Sequence, residues 1–96
     1  MSGFSIKKFD NLFSAVLKLN SIEDCHKFFE DVCTIKELED MSQRLEVAEL
    51  LSLGKSYQEV SQQTGASTAT ISRVNKCLNY GAGGYKAVLE SKNEKV

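Results

Sequence analysis

Ser21, Thr34, Ser56 and Ser67 each stand directly before an amphipathic run, and the first three are followed three residues later by an acid. That spacing is the capping box. The hydroxyl accepts a hydrogen bond from the N–H three residues on, and the acid reaches back to the N–H of the cap. Two of the four donors that every helix start leaves open are satisfied in this way. Thr34-Ile35-Lys36-Glu37 and Ser56-Tyr57-Gln58-Glu59 are complete boxes, whereas Ser21 with Asp24 uses the shorter acid. The chain contains no proline, and its apolar residues recur at spacings of three and four, the helical period. An all-α fold of six short helices follows.

The first helix is expected from Phe9 to Leu19, because Phe9, Leu12, Phe13, Val16 and Leu17 fall on one stripe. A second helix follows Ser21 and carries Ile22, Cys25, Phe28, Phe29 and Val32. The third, after Thr34, is the longest, and Gly54 ends it as a left-handed cap. A short helix runs from the Ser56 box to Gln63, Thr64-Gly65-Ala66 forms a turn, and Ser67 caps a helix reaching Leu78. Gly81-Ala82-Gly83-Gly84 breaks the chain before a last helix over 85–91, and 92–96 reads as a frayed tail. There is no internal repeat, and 1–96 reads as a single domain.

Composition removes several classes of function. No run approaches the roughly 18 apolar residues of a membrane span, so no membrane partner is expected. Met1 to Asp10 lacks the apolar core of a signal peptide. Three cysteines, Cys25, Cys33 and Cys77, without C-x-x-C spacing fit free thiols in a reducing cytoplasm. A metal site needs about four ligands, and the single histidine, His26, is adjacent to Cys25. Helical neighbours diverge by about 100°, so the two share neither a metal ion nor a nucleophile–base role. Gly81-Ala82-Gly83-Gly84 is a poor match to a nucleotide fingerprint. Neither an enzyme nor a cofactor is expected.

Residues 56–78 carry the chemistry. A capped helix, a glycine turn and a second capped helix are the parts of a helix-turn-helix. Gly65 supplies the positive φ of a sharp reversal, and Ala66 is small where the helices meet. Ile71, Val74 and Leu78 form the buried stripe of the second helix. Ser67, Thr68, Ala69, Thr70, Ser72 and Arg73 are left at its leading end or exposed side. Open N–H groups there can meet phosphate, hydroxyls can bond base edges, and methyls can touch thymine. Thr70 and Ser72 are the main base-edge candidates, with Arg73 and Lys76 giving cationic reach. Caps and solvated positions use the same residue types, so the pattern alone leaves a plain helix pair open.

The stretch from Leu50 to Tyr85, with Gly65-Ala66-Ser67-Thr68-Ala69-Thr70-Ile71-Ser72-Arg73 as its clearest part, resembles the Trp repressor superfamily and is most similar to its YerC/YecD-like subgroup. The resemblance spans about Leu12 to Glu90. It implies an intertwined homodimer, with 9–53 as dimerisation helices and 56–78 as a DNA-reading head. It places DNA contacts at Ser67, Thr68, Ala69, Thr70 and Ser72, with Tyr57, Gln58 and Ser61 near the backbone or groove edge. A family pocket for tryptophan implies ligand contacts at Arg73 and at a second arginine. Gln43 stands at that second position, with Arg44 one residue away, and Val74 occupies the place of a glycine that leaves room for the indole ring. Tryptophan is therefore not the expected corepressor, and another small effector, or none, stays open.

A formal net charge of −1 is unusual for a DNA binder, but its distribution is informative. Residues 20–49 hold nine acids and three bases, whereas 50–96 hold six bases and three acids and 1–19 three bases and one acid. The acidic excess lies on the second and third helices, and the flanks are positive. The function expected is a homodimeric, sequence-specific regulator of double-stranded DNA, a repressor located in the cytoplasm. The competing reading is a protein-interaction module that keeps the fold without base readout, favoured by the sparse basic residues of the recognition helix.

Overall fold

The computed structural model describes residues 6–94, with side chains for 7–90. Every regular element among them is helical. A 3-10 turn, Ile6–Phe9, leads into α1 (Asp10–Val16), followed by α2 (Ile22–Val32), α3 (Ile35–Ser52), α4 (Tyr57–Thr64), α5 (Thr68–Tyr80) and α6 (Gly84–Glu94). The chain divides into two compact units, Met1–Leu38 and Glu39–Val96, and the boundary falls inside α3.

The four hydroxyl starts all form. Asp24 N–H donates to Ser21 Oγ at 3.0 Å, and Asn20 N–H donates to the Asp24 carboxylate at 3.3 Å. The shorter acid thus reaches past the cap to the residue before it. At Thr34 both halves of the box close, at 2.8 and 3.1 Å, and the Ser56 box closes at 2.9 and 3.2 Å. The end of α3 is a Schellman motif. Gly54 takes φ +86°, its N–H reaches Leu51 O, and the Lys55 N–H reaches Leu50 O.

Several helix limits differ from the sequence expectation, α1 starting at Asp10 rather than Phe9 and α4 ending at Thr64 rather than Gln63. The first helix stops at Val16, not Leu19, because the Lys18 and Leu19 N–H groups reach back only three residues, to Ala15 and Val16. Such tightening ends a regular helix, and the chain is fully extended at Ser21. The fifth helix continues past Leu78 to Tyr80, and Gly81 N–H bonds Cys77 O at 2.8 Å. The last helix starts at Gly84 and reaches Glu94, because Ala87 N–H finds Gly83 O and opens its first turn there. Lys92, Asn93 and Glu94 are therefore helical rather than tail, and 95–96 lie outside the described residues.

The core belongs to the second unit. Val47 and Ala48 of α3, Val60 of α4, Ala66 of the turn, Ile71 and Val74 of α5 and Leu89 of α6 are buried together, with Leu50, Leu51, Leu78 and Tyr85 packed against them. In the first unit neither α1 nor α2 buries a side chain. Within it Phe9 lies 6.4 Å from Phe13 and Phe28 stands edge-on to Phe29 at 5.2 Å between ring centres. Leu17 remains 85% exposed and Ile22 76%. No helix of the described residues is long and apolar enough to cross a membrane.

Ile71 is fully buried where α5 meets the other helices of the second unit, so Ile71→Ala is expected to cost about 2–5 kcal/mol. Urea unfolding at fixed protein concentration reads this directly, and an unshifted midpoint would contradict the core described.

Candidate nucleic-acid interface

The reversal between α4 and α5 is built from short-range hydrogen bonds. Gly65 ends α4 at φ +76°, ψ 4°, and its N–H returns to Ser61 O. The Thr64 hydroxyl donates to Val60 O at 2.8 Å and accepts from Ala66 N–H at 3.1 Å. The Ser61 hydroxyl donates to Ala66 O at 3.1 Å. Three residues thus connect the helices, with both backbone polar groups of Ala66 paired, and Ala66, 3% exposed, fills the corner. A larger side chain at Ala66 would push the helices apart.

Ser67 then starts α5 from extended backbone. Its Oγ accepts from Thr70 N–H at 3.1 Å and donates to Thr70 Oγ1 at 3.2 Å. The cap leaves the Thr68 and Ala69 N–H groups, in the first turn, for an outside acceptor. Ile71 and Val74 point into the core and Leu78 is half-buried, while Ser67, Thr68, Ala69, Ser72, Arg73 and Lys76 are exposed. Thr70 is half-buried. Its oxygen accepts from Ser67, which leaves its own proton to donate. α5 has no acidic residue, so Arg73 and Lys76 set the sign of its outer face.

On α4, Tyr57 and Gln58 lie exposed in the first turn. Ser61 is different. It is half-buried, and with its proton committed to Ala66 O it has only lone pairs to offer outward, which suits a donor and not a phosphate.

The residues expected at a ligand pocket differ in burial. Arg44 and Arg73 are exposed, whereas Gln43 is half-buried and its Nε2 donates to Thr64 O at 3.1 Å. Val74 is 2% exposed among Val47, Val60 and Ile71, so aliphatic carbon fills that part of the core. The sequence did carry a signal for Gln43. It lies four residues before Val47, a polar residue on the buried stripe of α3. Cys25 is half-buried and His26 exposed on α2, and among the described residues no group of three potential metal ligands comes together.

A cleft of about 710 Å³ opens between the end of α3, the second half of α5 and α6. Leu50, Leu51, Leu53, Leu78 and Leu89 line it, with Glu46, Glu49, Glu90 and Lys86 at its polar edges. None of the residues at the start of α5 takes part.

The Trp repressor protein family model matches residues 7–93. YerC, a protein of Bacillus subtilis (strain 168) without an assigned function, is 49% identical over 88 residues, covering 92% of this chain and 85% of YerC. Two crystal structures are similar throughout. A TrpR-like protein from Eubacterium eligens ATCC 27750 superposes with a TM-score of 0.88 at 47% identity, covering 93% of this chain and 92% of its own. A Staphylococcus aureus protein described as a candidate Trp repressor gives 0.87 at 43% identity, covering 93% and 89%.

The capping box makes a pH prediction. The Glu59 carboxyl is held below its ordinary range, chiefly because Ser56 N–H donates to it; desolvation opposes this, and the Ser56 side chain and the Lys55 charge add smaller help. A depressed folded pKa gives stability that is present above the unfolded value, about 4.3, and lost as pH falls through the folded one. Melting temperature followed from neutral to acid pH should therefore fall more steeply for the native chain than for Glu59→Gln. Parallel curves would contradict the assignment.

Proposed function

The chain belongs to the Trp repressor family, and on that premise we propose that it is a sequence-specific DNA-binding transcription regulator. It acts as a repressor and a homodimer on a roughly palindromic operator, without tryptophan as corepressor. The observation that carries this reading is the start of α5. Exposed hydroxyls, a methyl, two open N–H groups and two cations share one accessible surface, while the opposite face of the same helix is buried.

In this reading Thr70 and Ser72 bond base edges, and Ala69 and the Thr68 methyl meet thymine methyls. Ser67, with the open N–H groups of the first turn, meets phosphate. Arg73 and Lys76 lie along the phosphates, and Tyr57 and Gln58 touch the backbone beside them. Ser61 serves the interface by holding the turn.

The exposed apolar residues support the homodimer. Leu17, Ile22 and Leu53 are each more than 70% exposed, and apolar stripes of that extent are covered in a stable protein. A second copy covers them symmetrically, and its two-fold axis sets half-sites about 34–36 Å apart. Buried Val74 supports a head that tryptophan does not gate. An effector of other chemistry would meet Arg73 and Arg44. The role is cytoplasmic, where Cys25, Cys33 and Cys77 remain free thiols.

Selection of bound duplexes from a random pool, with and without tryptophan, should enrich one palindrome equally in both arms. Its binding should weaken with salt at a log–log slope of about −4 to −5, corresponding to four to six phosphate contacts per dimer. No enrichment, or tenfold tighter binding with tryptophan, would contradict the reading. Sedimentation should give a dimer that Leu17→Asp dissociates, and a native monomer would refute the assembly.

The sparse charge of α5, only Arg73 and Lys76, favours one competing reading, a protein-interaction module. Thr70→Ala and Arg73→Ala distinguish the two, since they should abolish operator preference in a DNA reader and leave a protein partner's binding intact.

A further inference from the structure

The hydrogen bonds that cap the helices and close the α4–α5 turn span five residues or fewer. Gln43 Nε2 to Thr64 O spans 21. It joins α3 to the last residue of α4, at the point where the chain reverses toward the recognition helix. We propose that Gln43 is the positioning residue of the reading head, fixing the orientation of α4 and α5 on α3 from within the chain. The proposal rests on the DNA-binding reading of the head for its functional consequence, but not for the tether itself.

Three observations support it. First, the core that α3 shares with the head is apolar, with Val47 and Ala48 clustered with Val60, Ala66, Ile71 and Val74. Such contacts are strong but non-directional, and small aliphatic side chains allow one helix to slide or rotate on another. A hydrogen bond is directional, losing strength steeply as the donor angle falls. Second, Gln43 lies one helical turn before Val47, so it extends the buried stripe of α3 toward the turn. The stripe supplies adhesion and Gln43 supplies register.

Third, its acceptor is the carbonyl of the residue on which the turn depends. Thr64 O belongs to the last turn of α4, whose carbonyls have no partner within the helix. The same residue's hydroxyl joins Val60 O to Ala66 N–H, and the Ala66 carbonyl is held by Ser61. A displacement at Thr64 therefore reaches Ala66 at once, and Ser67 follows it in the chain. Donor and acceptor of the tether both belong to this chain.

The test uses the full-length protein with three substitutions. Gln43→Met keeps length and removes the donor, Gln43→Glu sets an acceptor against the Thr64 carbonyl, and Gln43→Lys restores a donor. Two readouts are taken far below the melting temperature, where every variant is fully folded. One is the affinity ratio for the selected duplex over a random duplex, and the other is amide hydrogen exchange at Gly65 and Ala66 without DNA.

Loss of one intramolecular hydrogen bond predicts a ratio about tenfold lower for Gln43→Met. Gln43→Glu should lose at least as much, exchange should quicken about tenfold in both, and Gln43→Lys should recover both. A residue that only adds stability would leave the ratio unchanged at that temperature, and an unchanged ratio in Gln43→Met with native exchange overturns the proposal. Where the native chain prefers no duplex, the DNA reading fails by itself. Exchange then decides the tether, quickened exchange upholding it and native exchange overturning it.

Discussion

The reversal between α4 and α5 is the constraint on which the rest of the second unit depends. Two helices must meet within three residues, and every polar group of those residues must be paired without lengthening the loop. Gly65 meets the backbone requirement with a positive φ, which costs an L side chain about 1–2 kcal/mol. Thr64 and Ser61 meet the polar requirement, and Ala66 meets the steric one by being small and buried. With the turn fixed, Ile71 and Val74 must face the core. Thr68, Ser72 and the cations of α5 are then exposed by exclusion, because the helical period leaves them no other place.

Much of this was legible in the sequence because helix starts are local events. A hydroxyl and an acid three residues apart satisfy their own backbone and need no partner from elsewhere, so the Thr34 and Ser56 boxes form as read. The buried stripe of α5 was legible for the same reason, since spacing alone separates Ile71 and Val74 from Ser72 and Arg73. Helix ends were less legible. Val16 in place of Leu19 turns on whether two N–H groups reach back three residues or four, which composition barely influences. The hydrogen-bond partners of Gln43 and Ser61 were not legible. The resemblance places Ser61 near the backbone or groove edge, and it does not report that the hydroxyl donates to Ala66 O. Gln43 pairs with a residue 21 positions away, and no local rule reports such a bond.

Charge and apolar exposure are distributed to different ends. Nine acids between residues 20 and 49 give α2 and α3 an outer surface that phosphate repels, while α5 has no acid at all. In a chain with a net charge of −1, the helix proposed to read DNA thus carries two bases and no acid. The exposed leucines and isoleucine at the end of α1, on α2 and at the end of α3 are apolar surface of another kind, which the proposed homodimer would cover.

Backbone amide shifts on titration with the selected duplex, followed by NMR in the isotopically labelled protein, test the central claim most directly. The proposal that the start of α5 meets DNA predicts large shifts at residues 67–73 with α2 nearly unmoved. Shifts centred on α2 and the first turns of α3, with 67–73 unmoved, would contradict it.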